Sequence, residues 1–475
     1  MNQCFWFRQD LRLKDNEALR AASENKDGDL VALYIIAHET WQQHCWSNVK
    51  VDFILRQLEQ LSDELEKLNI PLKIIKVKVF SEVPKKILSF CSQHKISSVY
   101  VNKQLLVDEM QRDAAVKDAL AKKDIHFHEY DDATIMPPND MLKNDGTPFK
   151  VFTPFKRQWM QRVTPGHFLA SNKKPLKQKK LMTDVDAIPK TVAGFQRTVE
   201  LAELWPVAET VAHKRLLKFY RERVSDYEQQ RDFPAIDGTS LISPYLANGI
   251  LSPRQCLTAL CDELEVNTLS QVGKNKGAFC WLSEIIWREF YYDVAFLFPE
   301  VVKNHPFKEK TKKLHWSLSK KNFQAWCEGS TGFPLVDAAM RQLNQTGWMH
   351  NRLRMVVAMF LTKTLYINWR WGEDYFMRQL VDGDFASNNG GWQWSASTGT
   401  DAVPYFRIFN PTTQSERFDA DGDFIRKYCP ELSGCSAKEI HNPSKDLRES
   451  VNYPEPIVDY KLMRQKVIAA FKELS

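Results

Sequence analysis

The stretch LVALYIIAHETWQQHCWSNVKVDFILRQLEQLSDELEKL (Leu30–Leu68) decides the fold class of the first part of the chain. It opens with a short apolar run, Leu30–Ile36, and continues into a segment, Val51–Leu68, whose apolar residues recur every three to four positions. The first pattern predicts a buried strand and the second an amphipathic helix. A strand followed by a helix is the repeating unit of a parallel sheet covered on both faces.

Four further apolar runs extend this alternation on either side. They are Cys4–Phe7, Leu72–Val79, Ser97–Asn102 and Ile125–Tyr130. We therefore predict a doubly wound α/β domain over residues 1–135. The turn after its first strand, RQDLRLKDN, contains no glycine, so the phosphate-binding turn of a dinucleotide fold is missing there.

Beyond the α/β domain the sequence changes character twice. The segment SNKKPLKQKK (Ser171–Lys180) is polar, rich in lysine and interrupted by proline, which is typical of a solvated connector. The residues after it are helical in pattern almost throughout, and nine of the 14 tryptophans fall between Trp281 and Trp394. We predict an interdomain connector at 136–200 and an all-α domain at 201–475.

Composition excludes several classes of protein. The 475 residues are 43% hydrophobic and 26% charged, as in ordinary globular proteins. No apolar run approaches the roughly 18 residues of a membrane span, and we expect no membrane association. Nine cysteines without metal-like spacing indicate reduced thiols, a cytoplasmic location and no metal site. The net charge of +6 permits nucleic-acid binding without arguing for it.

The stretch WLSEIIWREFYY (Trp281–Tyr292) carries an acid and a base among indoles. At about 100° per residue, Trp281, Glu284 and Arg288 share one helical face. Such a face suits a flat, polar ligand. It fits equally well an amphipathic core helix with an ion pair between residues four apart.

Two further stretches offer groups that bind anions or polar ligands. In TGWMHNRLRM (Thr346–Met355), Asn351 and Met355 meet on one helical face, while two arginines point elsewhere, toward phosphate, carboxylate or solvent. In YEQQRDFPAIDGTSLISPYLANG (Tyr227–Gly249), hydroxyl residues at a loop-to-helix junction form either an anion site or a plain helix cap.

The stretch DGDFASNNGGWQWSASTGTD (Asp382–Asp401) holds two carboxylates around a glycine, then two indoles two residues apart. Its glycines predict a tight turn. Too few oxygen ligands follow the carboxylates for a calcium loop, and they suit a ribose hydroxyl or a heterocycle nitrogen instead. Together the four stretches indicate a helical cavity for a large aromatic ligand that bears phosphate.

Six motifs resemble those of a known family. They are WFRQDLRLKDN, KVFTPFKRQW, YEQQRDFP, WREF, TGFPLVDAAMRQLNQTGWMHNRLRM and the long motif that runs from DGDFASNNGGWQW to FNPTTQ. Through them the whole chain resembles the DNA photolyase/cryptochrome family, and most closely the bacterial class I cyclobutane pyrimidine dimer photolyases. The resemblance implies FAD in the helical domain and an antenna pigment, 5,10-methenyltetrahydrofolate, in the α/β domain.

The resemblance also implies roles for particular residues. Those expected to bind FAD are Tyr227, Thr239, Ser240, Leu241, Ile242, Ser243, Trp281, Arg288, Arg354, Asp382, Gly383, Asp384 and Asn388. Those expected to bind the antenna pigment are His44, Asp108, Glu109 and Lys303. Those expected to contact DNA or the dimer are Arg231, Glu284, Trp287, Tyr291, Asn351, Arg352, Met355, Trp394, Arg407 and Gln414.

Five residues are expected to take part in catalysis itself. By the resemblance, Glu284 hydrogen-bonds the dimer and Asn388 faces N5 of the flavin. The indoles of Trp392, Trp369 and Trp316 form a chain that passes electrons from the surface to the flavin.

The implied function is light-driven repair of cyclobutane pyrimidine dimers in DNA, a carbon–carbon lyase reaction carried out by a monomer. Asn351 and Met355 stand where enzymes for the (6-4) photoproduct carry two histidines, which favours the cyclobutane dimer. Arg354 is expected to pair with Asp382. The alternative is a cryptochrome-type blue-light photoreceptor, most of which carry a C-terminal extension, and with none after KVIAAFKELS we expect repair.

Overall fold

The computed structural model describes residues 2–25 and 28–474, and its first part alternates strands with helices as predicted. The elements up to residue 222 are β1 (Asn2–Phe7), α1 (Glu17–Glu24), β2 (Leu30–Ala37), α2 (His38–Gln43), α3 (Asn48–Glu66), β3 (Leu72–Val77), α4 (Val83–Gln93), β4 (Ile96–Asn102), α5 (Val107–Ala121), β5 (His126–Tyr130), α6 (Phe152–Arg162), α7 (Pro165–Phe168) and α8 (Glu209–Glu222).

From residue 227 onward the described elements are helical. They are α9 (Tyr227–Gln230), α10 (Ser243–Ala247), α11 (Pro253–Glu263), α12 (Lys276–Leu297), α13 (Pro299–Val302), α14 (Lys320–Glu328), α15 (Pro334–Thr346), α16 (Asn351–Met359), a π-helical turn (Phe360–Thr364), α17 (Trp369–Gln379), α18 (Phe385–Ser395), α19 (Pro411–Phe418), α20 (Asp423–Tyr428), α21 (Lys445–Ser450) and α22 (Tyr460–Lys472). Short 3₁₀ turns at Phe80–Glu82, Pro138–Asp140, Val199–Leu201, Val224–Asp226, Gln271–Lys274, Glu309–Lys313 and Pro430–Leu432 join some of the elements.

The five strands form one parallel sheet in the order β3-β2-β1-β4-β5. The central strand β1 pairs with both of its neighbours, so that Phe5 lies opposite Ala32 on β2 and Tyr100 on β4. The winding direction reverses at β1, and ligands of such sheets bind beyond the carboxyl ends of the strands at this reversal.

The central strands are apolar because both faces of the sheet are covered. Every residue of β2 is buried, and so are Cys4 to Phe7 of β1. On one face, Trp6, Leu33 and Val99 pack together with Val116 of α5 into a single core cluster. The predicted α/β fold is confirmed.

The lysine-rich connector is anchored to the sheet through one glutamine. Its lysines are exposed, as expected, but the Gln178 side chain donates to the carbonyls of Leu30 and Asn69 and accepts from the Leu30 amide at 2.6 Å. The Gln178 backbone amide donates to the Leu68 carbonyl. The segment is therefore solvated on one side and hydrogen-bonded to the β2 and β3 edge on the other.

The described chain forms two compact units. The first comprises the residues up to Phe149 together with Thr153–Ser225 and Ser240–Pro299, and the second comprises Lys150–Phe152, Asp226–Thr239 and Glu300–Ser475. The domain boundaries at 135 and 200 remain a prediction from the sequence.

The second unit has an indole-rich apolar core. Trp326, Trp369 and Trp392 are buried together with the apolar faces of α15 and α16. Two glycines in left-handed conformation, Gly329 and Gly347, end α14 and α15. They allow tight returns of the chain, because a side chain is unfavourable at that backbone geometry.

Three findings concern the chain as far as the structure describes it. The nine cysteines are all free thiols. No described helix is both long enough and apolar enough to cross a membrane. Among the described residues, no group of three or more histidine, cysteine or acidic side chains is placed to hold a metal ion.

Candidate functional site

In the first unit, the predicted FAD residues 240–243 form a strained loop that leads into α10. The Ser240 hydroxyl accepts from the Trp281 indole N–H at 3.4 Å, so these two predicted ligands are brought together. Leu241 has φ of 51°, and the Arg215 guanidinium donates to its carbonyl. A left-handed leucine costs about 1–2 kcal/mol, and such strain is concentrated at ligand-binding loops. Ile242 is buried, and Ser243 begins α10.

The predicted dimer-binding Glu284 lies on α12 beside a lysine that the sequence did not single out. Lys156 of α6 donates to the Ser283 hydroxyl at 2.5 Å, and its ammonium stands 4.1 Å from the centroid of the Phe279 ring. Burial lowers the pKa of Lys156, and the charges of Cys280 and Glu284 oppose that shift. The structure therefore places a cation within electrostatic reach of Glu284.

Aromatic rings and an arginine continue along α12. Trp287 and Tyr291, both expected to contact DNA, pack with their ring centroids 5.5 Å apart. The Arg288 guanidinium donates to the Ala133 carbonyl at 2.7 Å and lies 4.4 Å from the Tyr292 ring centroid. The same guanidinium lies 3.7 Å from the carboxyl of the adjacent Glu289.

In the second unit, Arg354 of α16 and Asp382 form an ion pair at 2.7 Å, and this predicted pairing is confirmed. The same guanidinium donates to the Met349 carbonyl. The Asp382 side chain is buried, and within the described chain its Oδ1 accepts no hydrogen bond. A buried acceptor without a donor is costly in a protein, so Oδ1 is suited to an N–H or O–H group of a ligand.

The expected turn at the paired indoles is wrong, because the segment is helix α18. Asp384 caps this helix by accepting from the Ser387 amide at 2.9 Å. The helix is tightly packed at Trp392, whose ring would lie 2.1 Å from a Cβ added at Gly372 of α17. On a helix, residues two apart point about 200° away from each other, so Trp392 is buried while Trp394 is partly exposed.

A buried amide network lies beneath the helix face that carries Asn388. The Asn388 amide donates to the Glu373 carbonyl at 3.1 Å, and the Asn389 amide donates to the Glu373 carboxyl at 2.7 Å. Gln393 continues the network by donating to Asn389 and accepting from the Phe307 amide. Burial raises the pKa of Glu373 to about 8, so the side chain is mostly protonated at neutral pH.

The three predicted electron-transfer indoles all belong to the second unit. Trp369 and Trp392 lie in the same buried core cluster, and Trp316 packs against that cluster. The Trp316 ring also contacts Tyr366, with centroids 5.3 Å apart. The direct aromatic neighbours of Trp392 include Trp326, at 6.0 Å between centroids, which sequence reasoning missed.

The predicted DNA contacts of the second unit are spread over several segments. Asn351 is exposed at the first position of α16, and Met355 is partly buried one turn later. Arg352 is held by Asp232, with its Nη2 2.5 Å from Oδ2, and its guanidinium lies over the Phe418 ring at 4.5 Å. Arg407 is exposed.

The remaining predicted residues of this unit lie on or next to α9, in two loops and on α19. Tyr227 is buried under the Arg231 guanidinium, whose carbon lies 5.4 Å from the ring centroid. Thr239 and Gly383 lie in loops, and Gln414 lies on α19 with a buried Oε1 that accepts no hydrogen bond within the described chain.

The predicted antenna residues of the first unit come together. His44 lies 3.0 Å from Asp108 and 3.7 Å from Glu109, which begin α5. Burial lowers the pKa of His44, but the hydrogen bond to Asp108 and the charge of Glu109 outweigh burial, and the net pKa is raised. Lys303, in the second unit, pairs with Glu300.

Two cavities open beyond the carboxyl ends of β1 and β4. One, of about 410 Å³ and partly open to solvent, is lined by aromatic side chains such as Trp6 and Trp41 and bordered by Glu109. The other, of about 540 Å³, is lined by charged and amide side chains that include Asp10 and Asn102. Both occupy the position where parallel sheets bind ligands.

The chain combines a parallel α/β unit with an indole-rich helical part, and both regions match models of known domains. The model for the DNA photolyase domain matches residues 3–178, and the model for the FAD-binding domain of DNA photolyase matches residues 281–473. The chain belongs to the DNA photolyase family, and its cofactor is FAD.

Three comparisons show how close the likeness is. The chain is 44% identical to the deoxyribodipyrimidine photo-lyase of Vibrio cholerae over 98% of both chains. The crystal structure of a class III photolyase from Agrobacterium tumefaciens is 33% identical, with a TM-score of 0.89 over 100% of this chain and 97% of that one. A Synechocystis cryptochrome is 26% identical, with a TM-score of 0.83 over 99% of both chains.

Proposed function

We propose that this chain repairs cyclobutane pyrimidine dimers in DNA with the energy of blue light. The observation that carries the proposal is the full-length likeness to a deoxyribodipyrimidine photo-lyase, at 44% identity. Bound FAD in its reduced form supplies the light absorption and the electron that splits the dimer. The residues of the chain supply binding, orientation and electrostatics.

For FAD, we assign Asp382 and the 240–243 loop as the principal polar contacts. The buried Oδ1 of Asp382 suits a ring N–H or a ribose hydroxyl, and the ion pair with Arg354 holds the carboxylate in place. The hydroxyls and amides where the 240–243 loop enters α10 suit the phosphates. Together these groups offer the polar chemistry that a dinucleotide flavin requires.

Asn388 is assigned to the flavin N5 position. Its amide nitrogen is engaged with the Glu373 carbonyl, so its amide oxygen remains to accept from the N5–H of reduced flavin. The buried Glu373 is mostly neutral at pH 7 and adds little negative charge near that position. Both features favour the reduced cofactor that repair requires.

For the dimer, we assign Glu284 as the hydrogen-bonding acid and Trp287 as a stacking surface. Enzymes that flip bases, photolyases among them, spend on the order of a few kcal/mol to take a base out of the duplex, and less at a damaged site. The cation of Lys156 lies near Glu284, where it offsets the repulsion between the carboxylate and DNA phosphates. Asn351 and Met355 carry no titratable proton, which suits the cyclobutane dimer.

We assign the indoles of Trp392, Trp369 and Trp316 as the path for electrons that reduce the flavin. The first two are buried in one core cluster and the third packs against that cluster at the protein surface. The burial of Trp392 and Trp369 in that cluster keeps these two indoles away from water.

The antenna pigment is assigned as 5,10-methenyltetrahydrofolate beside His44 and Glu109. The hydrogen bond to Asp108 and the charge of Glu109 raise the pKa of His44, which favours its cationic form and offsets part of the negative charge beside an acidic folate. Lys303 is proposed as a further cation for it. We also propose a cytoplasmic monomer whose substrate is DNA that contains the dimers.

The proposal is tested by repair of an oligonucleotide that carries one thymine dimer. Reduced, anaerobic protein is illuminated with blue light or kept dark, and restored thymines are counted. We expect repair only in the light and slower repair by Glu284→Gln, with the exposed Glu203→Gln as the matched control. If bound FAD is photoreduced but no dimer is split, the chain is a photoreceptor of cryptochrome type.

A further inference from the structure

The positive charge of this chain is concentrated around one indole. Residues 303–321 contain seven lysines and one glutamate, which gives a formal charge of +6, the same as the whole chain. The remaining residues carry 58 basic and 58 acidic side chains and therefore balance. The segment contains Trp316, the surface end of the proposed electron path.

The lysines of this segment flank Trp316 on both sides in the fold. Lys312 and Lys313 end a 3₁₀ turn four and three residues before the indole, and Lys320 and Lys321 begin α14 after it. All four are exposed, and within the described chain Lys313, Lys320 and Lys321 form no ion pair. We call these four residues the lysine cluster.

Folding does not account for the lysine cluster. Two of its members lie in the first turn of α14, where the helix dipole disfavours positive charge. Between the two pairs, Leu318 is 77% exposed. The loop is nevertheless fixed in place, because the Ser317 amide donates to the Tyr366 carbonyl at 2.7 Å. Lys312 pairs with Glu309, so among the described residues the loop presents three unpaired ammoniums beside an exposed apolar side chain, and such a surface is suited to contact with a partner.

We propose that the lysine cluster docks a small acidic one-electron carrier protein that reduces Trp316 after each photochemical oxidation. This inference rests on the proposed function. In each docking event the carrier loses one electron, and the oxidised indole of Trp316 gains it and returns to its neutral form. Two such transfers and one proton from water match the conversion of FAD to FADH⁻.

Charge and chemistry favour a protein carrier. Lysine ammoniums remain strongly hydrated, so they attract an acidic partner and steer it without binding it tightly. Electron-transfer complexes have small, weak interfaces of this kind. The alternative occupant is DNA, whose phosphates the same charges attract, but DNA binding does not explain why the charges surround a redox-active indole.

The test uses the FAD-loaded protein and flash photolysis. The probe donor is the reduced soluble domain of cytochrome b5, an acidic haem protein, and reduced cytochrome c serves as a basic control donor. The decay of the Trp316 radical and the oxidation of the haem are followed together after each flash. The second-order rate constant is measured from low to high ionic strength.

The lysine cluster is replaced by glutamine at all four positions in one variant. A matched control replaces Lys173, Lys177, Lys179 and Lys180, four exposed lysines of the connector, and removes the same charge. We expect the cluster variant to lower the rate constant with cytochrome b5 at least about tenfold at low salt. The control variant should keep the wild-type rate constant. At high salt the rate constants of all three proteins should become equal, because salt screens the charges.

Two results would overturn the inference: an unchanged rate constant in the cluster variant, or an equal loss in the connector variant. An unchanged rate constant together with weaker DNA binding would identify the cluster as a DNA contact instead. Repair by chemically pre-reduced protein needs no donor. If that repair succeeds and the donor effect is absent, only this inference fails, whereas the loss of both repair and the Trp316 signal would refute the proposed function.

Discussion

Replacing Glu373 by glutamine should make the protein more stable at neutral pH, and increasingly so as the pH rises. The carboxyl group is buried, and burial raises its pKa from an ordinary 4.5 to about 8. The folded protein therefore holds this proton up to about pH 8, whereas the unfolded chain releases it near pH 4.5. Stability falls with rising pH throughout that window, because unfolding releases a proton.

The size of the effect follows from the same two values. Inside the window each pH unit lowers the free energy of unfolding by about 1.4 kcal/mol. At pH 7 the protein with Glu373 is therefore about 3 kcal/mol less stable than one with a neutral side chain at this position. Glutamine keeps an oxygen that accepts from the Asn389 amide, so the hydrogen bond at 2.7 Å survives. Asn388 donates to the Glu373 backbone carbonyl, and that contact is unaffected by the substitution.

The assay is thermal unfolding of the wild type and Glu373→Gln from pH 5 to pH 8, with the exposed Glu416→Gln as control. We expect the melting temperature of Glu373→Gln to exceed that of the wild type by a margin that widens steadily with pH. The difference in melting temperature between the wild type and the control should not change with pH. An infrared band of a protonated carboxyl at pH 7, lost in Glu373→Gln, would report the same proton directly. A constant difference across the range, without that band, would show that Glu373 is ionised in the fold and would refute the reasoning.

Three further substitutions test other parts of the site. Arg354→Met leaves the buried Asp382 without its partner and should lower the free energy of unfolding by about 2 kcal/mol, less than the roughly 3–5 kcal/mol of a fully buried pair because Arg354 is 27% exposed. FAD should be lost more readily on heating, and unchanged retention would contradict the assignment. Gly372→Ala drives a methyl group into the Trp392 ring, so it should lower the free energy of unfolding by about 1–3 kcal/mol and slow flavin photoreduction. Normal melting and photoreduction would show that the two helices move apart freely. Lys156→Met should weaken DNA binding and reduce the slope of log affinity against log salt by about one, while Lys156→Arg should keep the slope; equal slopes in all three proteins would remove Lys156 from the DNA contacts.

The α/β part of the fold could be predicted from the sequence because its strands are buried on both faces. Such strands must be continuous apolar runs, and the run Leu30–Ile36 became the strand Leu30–Ala37. The run Leu72–Val79 overshot its strand by two residues, since its last residues, Lys78 and Val79, lie in a bend after the strand. The order of the strands could not be read from these runs, because every central strand has the same pattern.

The paired indoles show where local composition misleads. Two adjacent glycines between Asn389 and Trp392 predict a turn, yet the segment is helical. The cap formed by Asp384 with the Ser387 amide was a readable signal for a helix start. What keeps the glycine-containing helix stable is tertiary packing, since the Trp392 ring fills the space that Gly372 leaves on the neighbouring helix.

Lys156 and Glu373 mark the limit of reading chemistry from sequence alone. Lys156 meets Ser283 across 127 positions, and no motif joins the two segments. Glu373 has an unremarkable place on α17, and only its burial against Asn389 makes it a proton holder. Motifs identify residues whose chemical type is rare, such as clustered indoles and paired carboxylates. A common lysine or glutamate gains its role from desolvation and from the groups that the fold brings beside it, and both are properties of three-dimensional packing.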